Sequence, residues 1–357
     1  DTSSLPTRNF QQGWYEEANK INGKTMRKQI VVKDVPCFNC TRACGKLSVI
    51  KRGPWKGTTL VGPEYETLGM MGSNCGISDL GAIAYANLLC DQLGLDTIST
   101  GVVIGFTMEC YERDILTTKE LGGLKPTFGN AEAMMPLIWK IAHRHGIGNL
   151  LAEGVKRASE KIGKGSEKFA VHVKGVELPA WEARGVRGRG LMYALCEGGG
   201  FHTKGWVSGS DPPKTSAVRK VRKFITSQNK ADFRDSNGLC MFLNIEWEEV
   251  ADLLNLITGW KLTLDAYLET GERIHTLTRA FNVREGFSRK DDKLPPRQMN
   301  ESTPKGKAKS CKAFISKEDF EKCLDKYYTL RKWSKEGKPR YKTLVNLGLE
   351  DVAEDLK

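Results

Sequence analysis

Three cysteines, Cys37, Cys40 and Cys44, fall within eight residues in the stretch "PCFNCTRACGK". Such a run offers three thiols on one short loop, whereas the ions and clusters that thiolates hold take four donors. The rest of the chain must therefore return a fourth ligand to that loop, which demands a long-range closure of the fold. A compact Cys-x-x-Cys-x-x-x-Cys run with one distant partner is the layout that wraps three corners of a four-iron cube, while structural zinc more naturally uses two separated pairs. The spacing favours a cluster and leaves zinc as the alternative.

A partner is suggested by an internal echo. "DQLGLD" (91–96) and "DSNGLC" (235–240) share Asp-x-x-Gly-Leu followed by Asp or Cys. In each, a helix or extended segment ends, glycine frees the backbone, and flanking carboxylates can accept hydrogen bonds from a donor-rich ligand. The second copy ends in Cys240, which offers the missing thiolate. Cys75, Cys90, Cys110, Cys196, Cys311 and Cys323 lie in apolar or helical contexts and read as small buried hydrophobes.

Ten cysteines without an export signal argue for a reducing, cytoplasmic compartment rather than a disulfide framework. The opening "DTSSLPTRNF" has neither an initiator Met nor a signal-peptide layout, so an N-terminal part is expected to precede it. No stretch reaches the apolar length of a membrane span. The net charge is +12, and Lys and Arg are read as spread along the whole chain, interleaved with Asp and Glu, without an aromatic-studded basic motif. That excludes a nucleic-acid partner from the reading and favours steering of an acidic electron carrier or an anionic cofactor.

Helical periodicity is found over 78–94, with Ser78 and Asp79 as cap candidates and Gly94 as the stop, and over 130–146, 148–163, 245–260, 263–286 and 316–337. Strand patterns are sparse, the best being 28–35 and 168–179, and 288–310 reads as polar loop. The expected fold is mainly α with a few short strands, in two helical domains. Residues 1–170 carry the cysteine run and the first echo motif, and residues 171–357 carry the second motif with Cys240.

"LPTRNF", the cysteine run, "GPEYETLGMMGSNCGI", "LCDQLGLDTISTG", "RGVRGRGLMYAL", "DSNGLC" and "NVREGFSRKDDKLP" stand in the order seen in tungsten-containing aldehyde ferredoxin oxidoreductases. The chain resembles their second and third domains only. The resemblance implies a β-rich pterin-base domain in the same or another chain, a 4Fe-4S cluster, and tungsten (or molybdenum) held by two molybdopterins, with magnesium allowed beside them.

What the resemblance implies for single residues can be set out in turn. Asp91, Leu95 and Asp96 would face one pterin. Asp235, Leu239 and Lys204 would face the other, while Cys240 would touch both a pterin edge and the cluster held by Cys37, Cys40 and Cys44. On sequence alone, "GPEYET" is a Gly-Pro turn leading into either an acidic helix start or a carboxyl beside a phenol suited to acid–base work. The resemblance selects the second: Glu66 as general base and Tyr65 as hydrogen-bond donor, with Glu64 structural. His202, after "EGGGF", would lie beside the metal, although that turn departs from the Asn-, Arg-, Ala- and Cys-containing family pattern. His143, His145, His172 and His275 are expected to be structural or solvent-facing.

Where some relatives carry Glu-x-x-His for an iron bridging two subunits, this chain has Tyr85 and Leu88, so that iron is expected to be absent. An oligomer remains expected. The implied activity is oxidation of an aldehyde to a carboxylate, with electrons leaving to ferredoxin or another iron–sulfur subunit. Reduction of an aryl-coenzyme A thioester and a non-catalytic iron–sulfur relay are the alternatives.

Overall fold

The computed structural model describes residues 2–243 and 245–357. The fold is mainly helical, with one three-stranded and one two-stranded sheet among the described residues. Two compact units form: the chain up to Arg187 with Ser210–Lys214 and Leu294–Ala313, and the unit of Gly188–Gly209, Thr215–Lys293 and Phe314–Lys357. Residues 171–187 thus pack with the first unit, and the chain returns to that unit twice more. No helix among the described residues is long and apolar enough to cross a membrane.

In the first unit, β1 (Val31–Val35), β2 (Gly45–Val49) and β3 (Thr59–Val61) pair antiparallel in that order. The cysteine loop joins β1 to β2. The strand expected from residue 28 begins only at Val31, because Gly23–Gln29 is a helix capped by the Asn22 side chain on Thr25 N–H. The helix read from 78–94 spans Leu80–Leu93, with the Asp79 carboxylate accepting from the Gly81 and Ala82 amides and Gly94 closing it at φ +67°. A carboxylate at the N-cap and a left-handed glycine after the last turn satisfy backbone groups that a helix end leaves open.

Thr97–Glu112 follows at once and was not foreseen. Every residue from Thr100 to Cys110 is buried, so the helix has no polar face to betray its period. Gly101 and Gly105 let it touch the preceding segment closely. A Cβ on Gly101 would lie 2.7 Å from Met70 atoms, and one on Gly105 would lie 2.7 Å from Asn74 Nδ2. The turn Leu68–Gly72, directly after Tyr65–Thr67, therefore rests on this helix.

Asn130 caps Ala131–Ala142, a helix that falls within the periodic stretch 130–146 and ends before His143. The helix read over 148–163 is divided into Ile147–Leu151 and Gly154–Ile162. Gly154 takes φ +83°, and the Val155 amide donates to Glu177 Oε1 at 2.7 Å instead of continuing the first helix. Glu177 ends the hairpin of β4 (His172–Val173) and β5 (Val176–Glu177), inside the expected 168–179 strand region. The 288–310 loop proves partly ordered as the helix Pro296–Asn300, because Arg297 is drawn inside to pair with Glu109.

The second unit is built on Val221–Ser236 packed against Leu264–Arg284. Gly271 sets their distance, since a Cβ there would fall 2.1 Å from Asn229 O. Phe233, Val250, Ala251 and Tyr267 fill the core on one side, joining Trp247–Thr258 to the pair. The helix expected over 316–337 stops at Leu330, where Lys332 turns with φ +58° and sends Trp333 back into the core. Leu264–Arg284 matches its sequence reading closely, capped by Thr263 on Ala266 N–H.

Candidate cofactor and active site

The two echo motifs fold alike. Gly94 and Gly238 both take φ +67°, each just past a helix, at the ends of Leu80–Leu93 and Val221–Ser236. The glycine amide donates to the motif aspartate's carbonyl, Asp91 O at 3.4 Å and Asp235 O at 3.0 Å. The leucine amide then donates to the residue before the aspartate, Leu95 to Cys90 O at 2.9 Å and Leu239 to Arg234 O at 3.2 Å. The same helix-closing turn thus presents an aspartate side chain in each unit. Replacing either glycine by alanine forces a Cβ into the left-handed region, although nothing nearby would clash. Gly94→Ala and Gly238→Ala should each cost about 1–2 kcal/mol in chemical denaturation.

In the first unit, Asp96 caps the next helix through Oδ2 on Ser99 N–H at 2.7 Å. Asp91 Oδ2 accepts from Asn87 Nδ2 at 2.8 Å, and partial burial raises its pKa above the ordinary carboxylate value despite that bond. A carboxylate has room for several further donors, so both can still accept from a ligand. Leu95 is half-buried between them.

Glu66 is the most perturbed acid of this region. Ala180 N–H donates to its Oε2 at 2.6 Å. Burial pushes its pKa up to about 7, against the lowering effect of the Ala180 amide and the Trp181 side chain and with a small addition from Asp96. Neighbouring Tyr65 donates its hydroxyl to Ala180 O at 2.7 Å and lays its ring 4.8 Å from that of Trp181. Ala180 and Trp181 therefore hold both candidate residues, across more than a hundred residues of sequence. No local signal marks them; only the apolar "LPAW" (178–181) hints at a buried turn.

In the second unit, Lys204 Nζ meets Asp235 Oδ2 at 2.7 Å, while Arg234 Nη2 meets Oδ1 at 2.6 Å. Burial alone would raise the Asp235 carboxyl, but these two cations hold it below the usual range. Burial lowers the pKa of His202, two residues before Lys204, which favours a neutral imidazole. His275, read as structural or solvent-facing, is fully buried. Its Nδ1 lies 2.8 Å from Asp232 and its Nε2 2.9 Å from Glu197, the residue before the three glycines. Burial and Arg331 act against its charge, yet the two carboxylates raise its pKa above the ordinary value. Asp232 also approaches Lys204 to 3.7 Å, so one polar network underlies the His202–Lys204 turn.

The six isolated cysteines lie inside the protein, as their contexts imply. Cys75, Cys90, Cys110, Cys196, Cys311 and Cys323 are buried, and burial pushes the thiols of Cys90, Cys110 and Cys323 up to about 12, which leaves them unreactive. Cys37 and Cys44 are exposed and Cys40 half-buried on the β1–β2 loop, with Asn39 and Ala43 in left-handed turns. Among the described residues no group of three or more His, Cys, Asp or Glu side chains is placed to hold a metal. The donor chemistry of each unit by itself nevertheless suits thiolate ligation: in the first, three accessible thiols share one loop, and in the second, the exposed Cys240 Sγ accepts the Phe242 amide at 3.4 Å. Amide hydrogen bonds to sulfur are among the devices that tune such clusters.

The profile for aldehyde ferredoxin oxidoreductase, domains 2 & 3, matches residues 1–349, and the chain belongs to that family. The tungsten-containing aldehyde ferredoxin oxidoreductases of Pyrococcus furiosus and Thermococcus kodakarensis are each 37% identical to it over 97% of this chain and 57% of their own length. A Pyrococcus furiosus aliphatic sulfonate oxidoreductase, WOR-like subunit, is 33% identical over the whole chain and 57% of its own length. The chain thus spans little more than half the length of the curated relatives it matches. A chain of the active-site complex BamBC of benzoyl coenzyme A reductase superposes with a TM-score of 0.75 at 23% identity, covering 96% of this chain and 56% of that one. That likeness speaks for the mainly helical fold.

Proposed function

We propose that this chain supplies the cofactor-enclosing helical part of a tungsten–pterin enzyme that oxidises an aldehyde to a carboxylate and passes the electrons to ferredoxin. The observation that carries the reading is the shared turn of the two Asp-x-x-Gly-Leu motifs. Two helix ends, far apart in sequence, present an acceptor in the same way, which suits a cofactor with two similar donor-rich halves. The sequence relatives, named for tungsten and aldehyde, support it.

In this reading Asp91, Leu95 and Asp96 line one pterin, and Asp235, Leu239 and Lys204 the other. Cys37, Cys40, Cys44 and Cys240 are the cluster ligands. The bound tungsten–pterin group supplies the two-electron redox change, and the protein supplies orientation and proton handling. Glu66, with a carboxyl near 7, takes the proton from an attacking water, while Ala180 N–H holds its Oε2 in place. His202, kept neutral by burial, donates a hydrogen bond to the carbonyl oxygen. Tyr65, whose hydroxyl donates to Ala180 O, braces the same turn that holds Glu66. Lys204 and Arg234 hold the Asp235 carboxylate ionised so that it accepts from the pterin.

The test is metal analysis and electron paramagnetic resonance on holoenzyme prepared without oxygen. About four irons and one tungsten or molybdenum per chain are expected, with a reduced-cluster signal that Cys240→Ala abolishes. Zinc alone would turn the four cysteines into a structural clamp and end the redox reading. Turnover of short aldehydes but not of aryl-coenzyme A thioesters separates aldehyde oxidation from aryl reduction, and turnover of neither points to a relay.

A further inference from the structure

Lys and Arg occur along the whole chain, but their excess over Asp and Glu is not even: it is concentrated in the segment that carries the cysteine loop. Residues 22–61 hold nine Lys and Arg against a single acidic residue, Asp34, and so account for two thirds of the chain's net +12. Asp34 is already shared by Arg27 at 2.7 Å and Lys46 at 3.1 Å. The other seven cations, among them Lys33, Arg42, Lys51, Arg52 and Lys56, are all exposed. An even scatter of charge would serve solubility, whereas a cationic excess on one sheet with its flanking helix and loops, met in a cleft beside it only by the capping carboxylate of Asp79, creates a directed field.

That field has a firm base. Antiparallel pairing places Lys33 beside Leu47 and Leu47 beside Val61, which remains more than half exposed. The turn carrying Lys51, Arg52 and Lys56 is pinned by Trp55, whose ring stacks 5.5 Å from that of Tyr85 on Leu80–Leu93. Tyr85, one of the two residues standing where relatives bridge an iron, therefore has a structural task here. A cleft of about 660 Å³ opens beside the turn between Lys28, Lys51 and Arg52. Phe38, between Cys37 and Cys40, is completely exposed. Phe38 on the cysteine loop stands at one end of the sheet and the Lys51–Lys56 turn at the other; one accessible aromatic on such a cationic face is the composition of a transient protein-docking patch, and the bases of a nucleic acid would call for several stacking rings.

We propose that this face, β1 to β3 with the cysteine loop and the Lys51–Lys56 turn, docks an acidic one-electron carrier protein beside the cluster ligands. The inference deepens the redox reading above and rests on it. Charge complementarity would set encounter rate and orientation, and Phe38 would supply an apolar contact in a weak complex.

Binding of an oxidised, acidic bacterial ferredoxin to the full-length holoenzyme, followed by surface plasmon resonance at 50 and 300 mM salt, tests it. Affinity should fall about tenfold across that salt range and about tenfold again in the triple variant Lys33→Glu, Lys51→Glu, Lys56→Glu. The corresponding triple Gln variant should lie between, its melting temperature confirming an intact fold, and a basic cytochrome should not bind. Unchanged ferredoxin affinity in both folded variants overturns the proposal. So does a 30-nucleotide single strand of DNA that binds more tightly than ferredoxin and displaces it, which would mark a polyanion surface. Aldehyde oxidation with a viologen dye is measured in parallel. Its absence in the unsubstituted enzyme counts against the proposed reaction, while the binding series still decides the docking face.

Discussion

Under the proposed reaction, Glu66→Gln is expected to lower the turnover of aldehyde by about 10²–10⁴-fold while leaving the protein folded. The reason lies in two properties of one carboxyl. It is mostly buried beside Trp181, so its pKa rises to about 7, and it is held by the Ala180 amide at 2.6 Å. A base must be ionised to act, so turnover should climb as pH rises through about 7 in the native enzyme. In the Gln variant that limb should vanish from the pH profile. An unchanged pH limb in the variant would assign the ionisation to another group and remove Glu66 from the mechanism.

Stability runs the other way. The folded pKa lies above the value of an exposed Glu, so between about 4.5 and 7 the folded state binds more protons than the unfolded one. The native fold therefore loses stability as pH rises through that window, by an upper bound on the order of 3 kcal/mol before solvent screening. Glutamine stays neutral and can still accept the Ala180 amide. Thermal melting at pH 8 should then show Glu66→Gln at least as stable as the native enzyme. Loss of turnover with gain of stability is the signature of a strained functional group, which a structural glutamate would not give.

How far the sequence foretold this arrangement depends on the range of the signal. Local chemistry was readable: Asp79 and Gly94 announced a helix with both ends, and the echo of 91–96 in 235–240 became the same turn twice. Burial also sorted the six isolated cysteines correctly. What failed to show was either uniformly buried or long-range. Thr97–Glu112 has no polar face, so its period is silent. The break at Gly154 depends on Glu177, and the end of the last long helix at Leu330 depends on where Trp333 packs. For the candidate site, the sequence offers residue types but not the partners that tune them. Ala180 and Trp181 beside Glu66, and Glu197 and Asp232 around His275, are brought up only by folding.

Arg297 is the sharpest case, since "SRKDDKLPPRQMN" reads as solvated loop and yet buries a guanidinium. Arg297 Nη1 and Nη2 each reach Glu109 at 2.7 Å, Nη1 also donates to Asn9 O at 2.6 Å, and Asn9 Nδ2 donates to Glu109 at 2.7 Å. Burial disfavours the Glu109 charge, but Arg297 holds the carboxyl below its ordinary range. The pair anchors Leu294–Ala313 within the first unit and braces the helix on which the Glu66 turn rests. Arg297→Met should therefore leave a buried carboxylate uncompensated and cost about 3–5 kcal/mol. In a unit of this size that is a fall of about 10 °C in melting temperature. Adding Glu109→Gln to that variant removes the stranded charge and should restore much of the loss, because removing both charges avoids the penalty of burying one. If the double variant melts no higher than the single one, the cost lies in lost packing of the guanidinium, and the ion pair is not what holds the returning segment.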